Sequence, residues 1–387
     1  MDLSEIRLLR SNAKIWLVYA GYNRRFMEDF ARQNRVFLNI PGFNAAQATF
    51  DDDTLMRRHL AMSDAVAKYI RGGASNAPSR NAQNYSPTPY GANTPNSRRF
   101  AAELGNIQRL FKEAKVGDLI MSPAQGQYDP FLIGEISDKW SKSDDFAVPK
   151  LQDEEVPTRR VRWLNVVLTR RDFAPRTARR LVNRHAITQL DESVYQDVFD
   201  NVYPSYSWGD RSKLDLFGNG YAGKDPMQPY EAAKLLKYVM SSVFAYQVGR
   251  INEFNQLGID DAIKIFYNED FVEELAQNFN SPGKFSLIVG GGLTAILVAG
   301  GLVMATADAG GNVHQQRVQV SQQIDSVMKG NGKDQAKVEL NNFLNSVGGT
   351  TWKPVQNTLG KSAQKTLGLS LNNSVEVARH KAELNAR

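Results

Sequence analysis

The sequence contains no cysteine and only four histidines in 387 residues. A chain without thiols forms no disulfide bond, no thiolate zinc site and no cysteine nucleophile. With so few imidazoles we also expect no histidine-rich metal centre. These absences exclude redox-active thiol enzymes and zinc-finger modules.

The phosphate-binding motifs of common enzymes are missing too. The glycine clusters at 218–223 and 289–293 lack the Lys-Ser/Thr ending or the following acid that would give them phosphate chemistry. The segment KDQAK at 333–337 is similar to the end of a metal-dependent nuclease motif, but no paired carboxylate on a preceding strand completes a metal site. The sequence therefore predicts no cofactor and favours a non-enzymatic function, with a restriction nuclease of unrecognised catalytic domain as an alternative.

Long apolar runs are rare, and the exception is the segment from Phe285 to Ala307. Its 23 residues carry no charge, and about 20 residues of helix suffice to cross a hydrocarbon core. Gly291, Ala295 and Ala299 recur at every fourth position, which is typical of closely packed membrane helices. We predict a transmembrane helix here, with a buried helical hairpin or glycine-rich core turn as the alternative.

Length and composition indicate a multidomain protein with an anionic partner. A chain of 387 residues exceeds one ordinary domain. Lys and Arg outnumber Asp and Glu by 47 to 41, which favours nucleic acid or a phospholipid surface. The first residues, MDLSEIRLLRSNAK, contain no apolar core of secretory length, so we expect a cytoplasmic amino-terminal domain, associated with the inner membrane through the later helix.

Apolar periodicity divides the chain into four predicted parts. Residues 1–225 alternate strands and helices, with strands at 14–20, 36–43, 119–123, 131–136 and 160–168, helices at 51–70 and 100–114, and a mobile Gly/Ser/Asn/Pro-rich loop at 72–98. Residues 226–284 show a helical pattern until Ser281, Pro282 and Gly283. The candidate transmembrane helix at 285–307 and a polar tail at 308–387 follow. The predicted class is α+β.

Several motifs of the first part occur in a familiar order. They are Trp16, Val18, Ala20 and Gly21; then Val116 to Asp118; then Ile133 to Ile136; then Arg160 to Leu164. This order resembles the EVE-like amino-terminal domain of modification-dependent restriction proteins of the Mrr type, over residues 14–200. The resemblance implies a small PUA-like β-barrel with flanking helices, which holds a modified or flipped base between strands.

A base outside its stack needs an aromatic surface and polar groups that read its edge. Trp16, Tyr19, Tyr22, Trp140 and Trp163 are candidates for the surface, and Asn23, Ser122 and Gln125 for the edge. The alternative for Trp16 and Trp163 is a place in the core.

The basic run between Thr158 and His185 is the strongest charge feature. It contains nine arginines and one acid, Asp172; the arginines are Arg159, Arg160, Arg162, Arg170, Arg171, Arg176, Arg179, Arg180 and Arg184. The planar guanidinium pairs with phosphate oxygens and stacks on bases. We therefore predict phosphate contact here, against the alternative of a solvated helix face.

Together these features predict a sensor of nucleic acid, with DNA favoured over RNA, coupled to a membrane-associated helical effector or anchor in defence against phage. We also expect a homo-oligomer. The alternative is an assembly protein in which the EVE-like fold recognises a partner and the apolar helix drives oligomerisation.

Overall fold

The computed structural model describes residues 6–44, 46–74, 76–182, 185–219, 227–278, 283–306, 333–347, 349–361, 363 and 368–371. The chain folds into two compact units. The inserted unit is Ala13–Val202, and the flanking unit combines Met1–Asn12 with Tyr203–Arg387. The compact units thus divide near residue 202, whereas the sequence pattern placed a boundary at 225.

The inserted unit is a mixed α+β structure around a curled half-barrel sheet. Its strands are β2 (Ile15–Val18), β3 (Arg35–Phe37), β4 (Leu119–Ser122), β5 (Leu132–Ile136), β6 (Phe146–Val148), β7 (Glu154–Val156), β8 (Thr158–Trp163) and β9 (Ile187–Gln189). Its α-helices are α1 (Met27–Gln33), α2 (Gln47–Asp51), α3 (Asp53–Ile70), α4 (Pro95–Gln108), α5 (Pro175–Arg180) and α6 (Tyr195–Val202). The main sheet has the order β3-β8-β5-β4-β2-β9, and β6 pairs with β7. The predicted α+β class is confirmed.

Local sequence signals explain where the two long helices begin. The side chain of Asp52 accepts hydrogen bonds from the backbone N–H groups of Thr54 and Leu55 and so caps α3. Thr94 caps α4 in the same way, and Pro95 occupies the first turn, where its missing N–H costs nothing. A π-helical turn, Arg109–Glu113, ends α4. Both helices pack apolar faces into one core with the sheet.

The segment between α3 and α4, which the sequence predicts as a mobile loop, is attached to α3 by side chains. Arg58 donates to the backbone oxygens of Gln83 and Tyr85 at 3.1 and 2.7 Å. The Tyr90 hydroxyl donates to the Asp64 carboxylate, which also accepts from Lys68 at 3.2 Å. These contacts hold the segment against the helix at two points.

His59 on α3 lies in an aromatic environment. Its ring is 5.6 Å from that of Phe43, and its Nδ1 has no hydrogen-bond partner among the described residues. Burial, and secondarily the charge of Lys142, lower the pKa of His59. The folded protein therefore favours the neutral imidazole.

This environment makes stability dependent on pH. A histidine with a lowered folded pKa contributes stability that is complete above its ordinary pKa of about 6.5 and is lost as the pH falls through the folded value. We expect the melting temperature of the inserted unit to fall between pH 7.5 and 5.5, and the fall to shrink in His59→Leu. Differential scanning calorimetry at both pH values tests this; an unchanged fall in His59→Leu, or an equal change in the exposed-site control His185→Gln, contradicts it.

The flanking unit is a sheet packed against helices. Its strands are β1 (Ile6–Leu8), β10 (Ser205–Trp208), β11 (Arg211–Gly218), β12 (Val272–Asn278), β13 (Gly283–Gly290) and β14 (Leu369–Ser370). Its α-helices are α7 (Met227–Gln247), α8 (Ile251–Phe254), α9 (Ile259–Phe266), α10 (Thr294–Thr306), α11 (Lys333–Ser346) and α12 (Gly349–Val355). The sheet order is β1-β10-β11-β13-β12, with β14 beside β11, and β1 runs parallel to β10.

Two secondary-structure predictions for this unit are wrong. Residues 272–278 continue a helical pattern in the sequence, yet they form β12, which pairs along its length with β13. The segment 285–307 is not one helix, since its first part belongs to β13 and its remainder forms the 13-residue α10. Sheet pairing satisfies the backbone of both strands and overrides local propensity.

The former membrane candidate lies in the core of the flanking unit. Phe285, Leu287 and Val289 alternate along β13 and pack with α7 and α10. None of the helices in the described part of the chain combines the length and apolarity needed to cross a bilayer. The segment therefore lacks charged side chains because it is buried in the core of the flanking unit.

Small residues allow close packing of α10 against its neighbours. Gly291 precedes α10 in a turn with φ +96°, while Ala295 and Ala299 are fully buried in the helix. Neighbouring helices pack closely against α10 at Gly300, which faces Leu340 of α11, and at Gly301, where an added Cβ would lie 2.7 Å from Val239 Cγ1 of α7.

A larger side chain at position 301 should destabilise the flanking unit. We expect Gly301→Leu to lower the free energy of unfolding by about 1–3 kcal/mol through overpacking. Gly290→Ala is the matched control, because an added Cβ there meets nothing within 4 Å. Urea denaturation measures both; equal stabilities for Gly301→Leu and wild type contradict the packing described.

Candidate nucleic-acid interface

Trp16 and Asp118 belong to different motifs of the sequence and meet in the core. The Asp118 carboxylate accepts from Trp16 Nε1 at 3.0 Å and from the backbone N–H groups of Lys14 and Lys115 at 3.1 and 2.9 Å. Trp16 is fully buried. Its assignment as a base-stacking surface is therefore wrong, because no face of the indole is accessible.

Trp163 also has a structural role. Its Nε1 donates to the Phe30 carbonyl at 3.0 Å, and its ring covers Gly134, where an added Cβ would lie 2.6 Å from Trp163 Cε3. Gly134 of the motif Ile133–Ile136 thus makes room for Trp163 of the motif Arg160–Leu164. Trp140 is buried beside Phe50, so it offers no surface either.

Arg159, predicted to contact phosphate, is buried at 3% exposure. Its guanidinium donates to the carbonyls of Leu110, Ala114 and Asp138 at 3.0, 3.1 and 3.2 Å. Burial lowers its pKa to about 10, so it remains a cation at neutral pH. The prediction is wrong for Arg159, because its hydrogen bonds close the end of the helical segment after α4.

Arg160 and Arg162 point to the opposite face of β8 and are paired with acids. Arg160 Nε lies 2.6 Å from Asp144 Oδ1, and an Arg162 terminal nitrogen lies 2.6 Å from Glu135 Oε2. Both line an open groove of about 600 Å³ together with Asp138 and Trp163. The acids compensate the positive charge, so this groove offers a polyanion little net attraction.

Removing Arg159 should affect folding, since the buried carbonyls of Leu110 and Ala114 and the part-buried carbonyl of Asp138 would lose their donor. We expect Arg159→Met to lower the free energy of unfolding by roughly 2–4 kcal/mol. The exposed Arg179→Ser serves as control and should change it by less than about 0.5 kcal/mol. Urea denaturation tests both; a stable Arg159→Met variant would contradict the assignment.

The sheet topology collects several loops at one edge. β2 and β4 are parallel, whereas β5, β8 and β9 each run antiparallel to a neighbour. The carboxyl ends of β2, β4 and β8 therefore meet the amino ends of β5 and β9. We call this the loop edge; it comprises residues 19–25, 122–131 and 164–182.

Five arginines of the basic run lie on the last of these segments. They are Arg170, Arg171, Arg176, Arg179 and Arg180. None of the five forms an ion pair with a described carboxylate, which distinguishes them from Arg160 and Arg162. Three of them, with Pro175, line a second open groove of about 420 Å³. Arg184 lies outside the described residues.

Two of these arginines interact electrostatically with Asp191, which is fully exposed. Its pKa is lowered mainly by hydrogen bonds from Ser193 and further by the charges of Arg180 and Arg176. Arg176 also donates to the Ser193 hydroxyl at 2.6 Å. The groove along α5 therefore carries an excess of positive charge.

Tyrosines stand beside arginines at the same edge. The Arg24 guanidinium lies 4.1 Å from the Tyr19 ring centre, and that of Arg171 lies 4.0 Å from Tyr128. Burial raises the pKa of Tyr19, while the charges of Arg24 and Arg170 act in the opposite direction.

The remaining predicted pocket residues are also at the loop edge. Tyr22 is 83% exposed, and Asn23 follows it in a left-handed turn with φ 52°. Ser122 ends β4; it is fully buried and its hydroxyl has no partner among the described residues. Gln125 is exposed in the next loop. The structure thus brings Tyr19, Tyr22, Asn23 and Ser122 to one edge.

Sequence reasoning missed Arg24 and Tyr128. Arg24 Nε donates to the Pro123 carbonyl at 2.8 Å and connects the first loop to the second. Tyr128 lies in the loop between two strongly predicted strands, and its position between turn residues was the signal that could have found it. Neither residue belongs to a motif.

No family model, no curated protein and no solved structure matches this chain. The resemblance to the EVE-like domain therefore stays a prediction.

Proposed function

We propose that the inserted unit is an EVE-like domain of the PUA class that binds nucleic acid through its loop edge. The observation that carries this proposal is the group of arginines at 170, 171, 176, 179 and 180, which lack carboxylate partners in the described structure. Guanidinium groups gather without acids where they bind an anion. A surface built only for solubility mixes charges of both signs.

The location of the base pocket follows from the same edge. Tyr19 and Tyr22 supply aromatic surface. Ser122 is as fully buried as Trp16 and is therefore not part of this pocket. Asn23 adds an amide in the adjacent turn. Trp16 and Trp163 no longer belong to this pocket, because their rings serve the core and their N–H groups have protein acceptors.

The flanking unit is the proposed effector or assembly module. The role in phage defence, the preference for DNA and the homo-oligomer rest on the sequence. Association with a membrane also remains a prediction from the sequence, without the transmembrane helix that suggested it.

Replacing the exposed arginines should weaken binding and its dependence on salt. We expect Arg176→Ser/Arg179→Ser/Arg180→Ser to reduce affinity for a duplex, and to reduce the slope of log K against log salt by about one for each phosphate that the variant no longer binds. Fluorescence anisotropy with the full chain, between about 0.05 and 0.2 M salt, measures both. Methylated, hydroxymethylated and plain oligonucleotides in parallel identify the preferred base.

The control carries the same change in net charge elsewhere. Arg32→Ser/Arg71→Ser/Arg98→Ser removes three exposed arginines from α1 and from the ends of α3 and α4, and should retain the wild-type slope. If both triple variants bind alike, or if wild type binds none of the oligonucleotides, the loop edge is not a nucleic-acid interface.

A further inference from the structure

Exposed apolar side chains of the inserted unit are concentrated at the loop edge. Five large hydrophobic side chains are exposed in its described part, and four are at this edge: Tyr22 at 83%, Tyr128 at 58%, Val167 at 47% and Val182 at 48%. The fifth, Val116, precedes β4 at the other end of the strands. Exposed apolar groups that lie together mark an interaction site, and the neighbouring cations favour an anionic partner.

Hydrogen bonds between the loops join these side chains into one surface. Arg24 Nε donates to the Pro123 carbonyl at 2.8 Å, which ties the turn of Tyr22 to the loop of Tyr128. The Phe131 N–H donates to the Leu168 carbonyl at 2.9 Å, which ties that loop to the segment of Val167. The surface therefore continues from Tyr22 to the arginines of α5.

One of the exposed rings, that of Tyr128, is already oriented by a guanidinium group, and so is the half-buried ring of Tyr19 at the same edge. Arg171 lies over the Tyr128 ring and donates to its hydroxyl, and Arg24 lies over Tyr19. An arginine on one side of a tyrosine fixes the ring and leaves its other side for a second flat group. A base can stack on the open side of such a tyrosine, and the phosphate next to it can bind the arginine.

Duplex DNA does not offer such flat groups, because each base is covered by its neighbours. Stacking on an aromatic side chain contributes about 1–3 kcal/mol per base in single strands, while a duplex must first lose its own stacking. Resting on the proposed function, we infer that the loop edge binds an unstacked, single-stranded segment in preference to duplex, with bases on Tyr22 and Tyr128 and phosphates on the arginines of 170–180.

The test compares strands of one sequence. Labelled single-stranded DNA of about 15 nucleotides, near the upper site size of single-strand-binding folds, the same strand annealed to its complement, and RNA of the same sequence are titrated with the full chain. We expect single-stranded nucleic acid to bind at least about tenfold more tightly than duplex. The DNA and RNA arms show which sugar is accepted.

Ring-removing and ring-keeping variants separate stacking from charge. Tyr22→Ala and Tyr128→Ala should each weaken single-strand binding about tenfold, while Tyr22→Phe and Tyr128→Phe should bind like wild type. Tyr230→Ala, at a 60% exposed tyrosine of the flanking unit, is the matched control and should have no effect.

Duplex binding as tight as single-strand binding, or alanine variants indistinguishable from wild type, would overturn the inference. The proposed function survives that result if duplex binding remains salt-dependent and is lost in the triple arginine variant. If neither form binds, both fail together.

Discussion

The inserted unit depends on the buried carboxylate of Asp118. A buried charge is costly unless it is fully hydrogen-bonded, and this one accepts two backbone N–H groups and the indole N–H of Trp16. The acceptor sites join the residue before β2 to the turn before β4, and so fix the register of the only parallel pair among the described strands of this sheet. The charge of Asp118 also acts on Arg159, where it raises the pKa of the guanidinium against the lowering caused by burial. Because β2 and β4 are held side by side, their carboxyl ends bring the first two loops together.

One residue type has three different roles within a short stretch of chain. Arg159 satisfies buried carbonyls, Arg160 and Arg162 pair with acids on the outer face of β8, and the arginines from 171 to 180 face solvent. The alternation of side chains along β8 predicts that Arg159 differs from Arg160 and Arg162, since Arg159 lies on the same face of the strand as the buried Val161. The carbonyl acceptors of Leu110 and Ala114 come from a distant helix end, and nothing near Arg159 in the sequence indicates them.

The elements of the inserted unit were predictable because their signals are local. The acidic turn at 51–53 marks the start of α3, and short β-branched runs mark the longer strands. The start of α4 was missed, since Pro95 lies in the segment predicted as a loop. The flanking unit was harder, since VEELAQN prefers a helix in isolation and becomes a strand only beside β13. Likewise, an uncharged run is equally compatible with lipid and with a protein core, and only the alternation of Ser286 between Phe285 and Leu287 hinted at a strand. Of the candidate site, the residue types were predictable, but their grouping at one edge required the order of the strands.

Strand β1 pairs in parallel with β10, and the entire inserted unit lies between them in the chain. Parallel neighbouring strands always need a crossover connection. Between β1 and β10 this connection is a complete domain. During synthesis on the ribosome β1 emerges before β10 and remains without this neighbour until the whole inserted unit has been made. The sheet of the flanking unit therefore joins a strand made before the inserted unit to strands made after it, and this pairing must wait for the intervening domain to become compact.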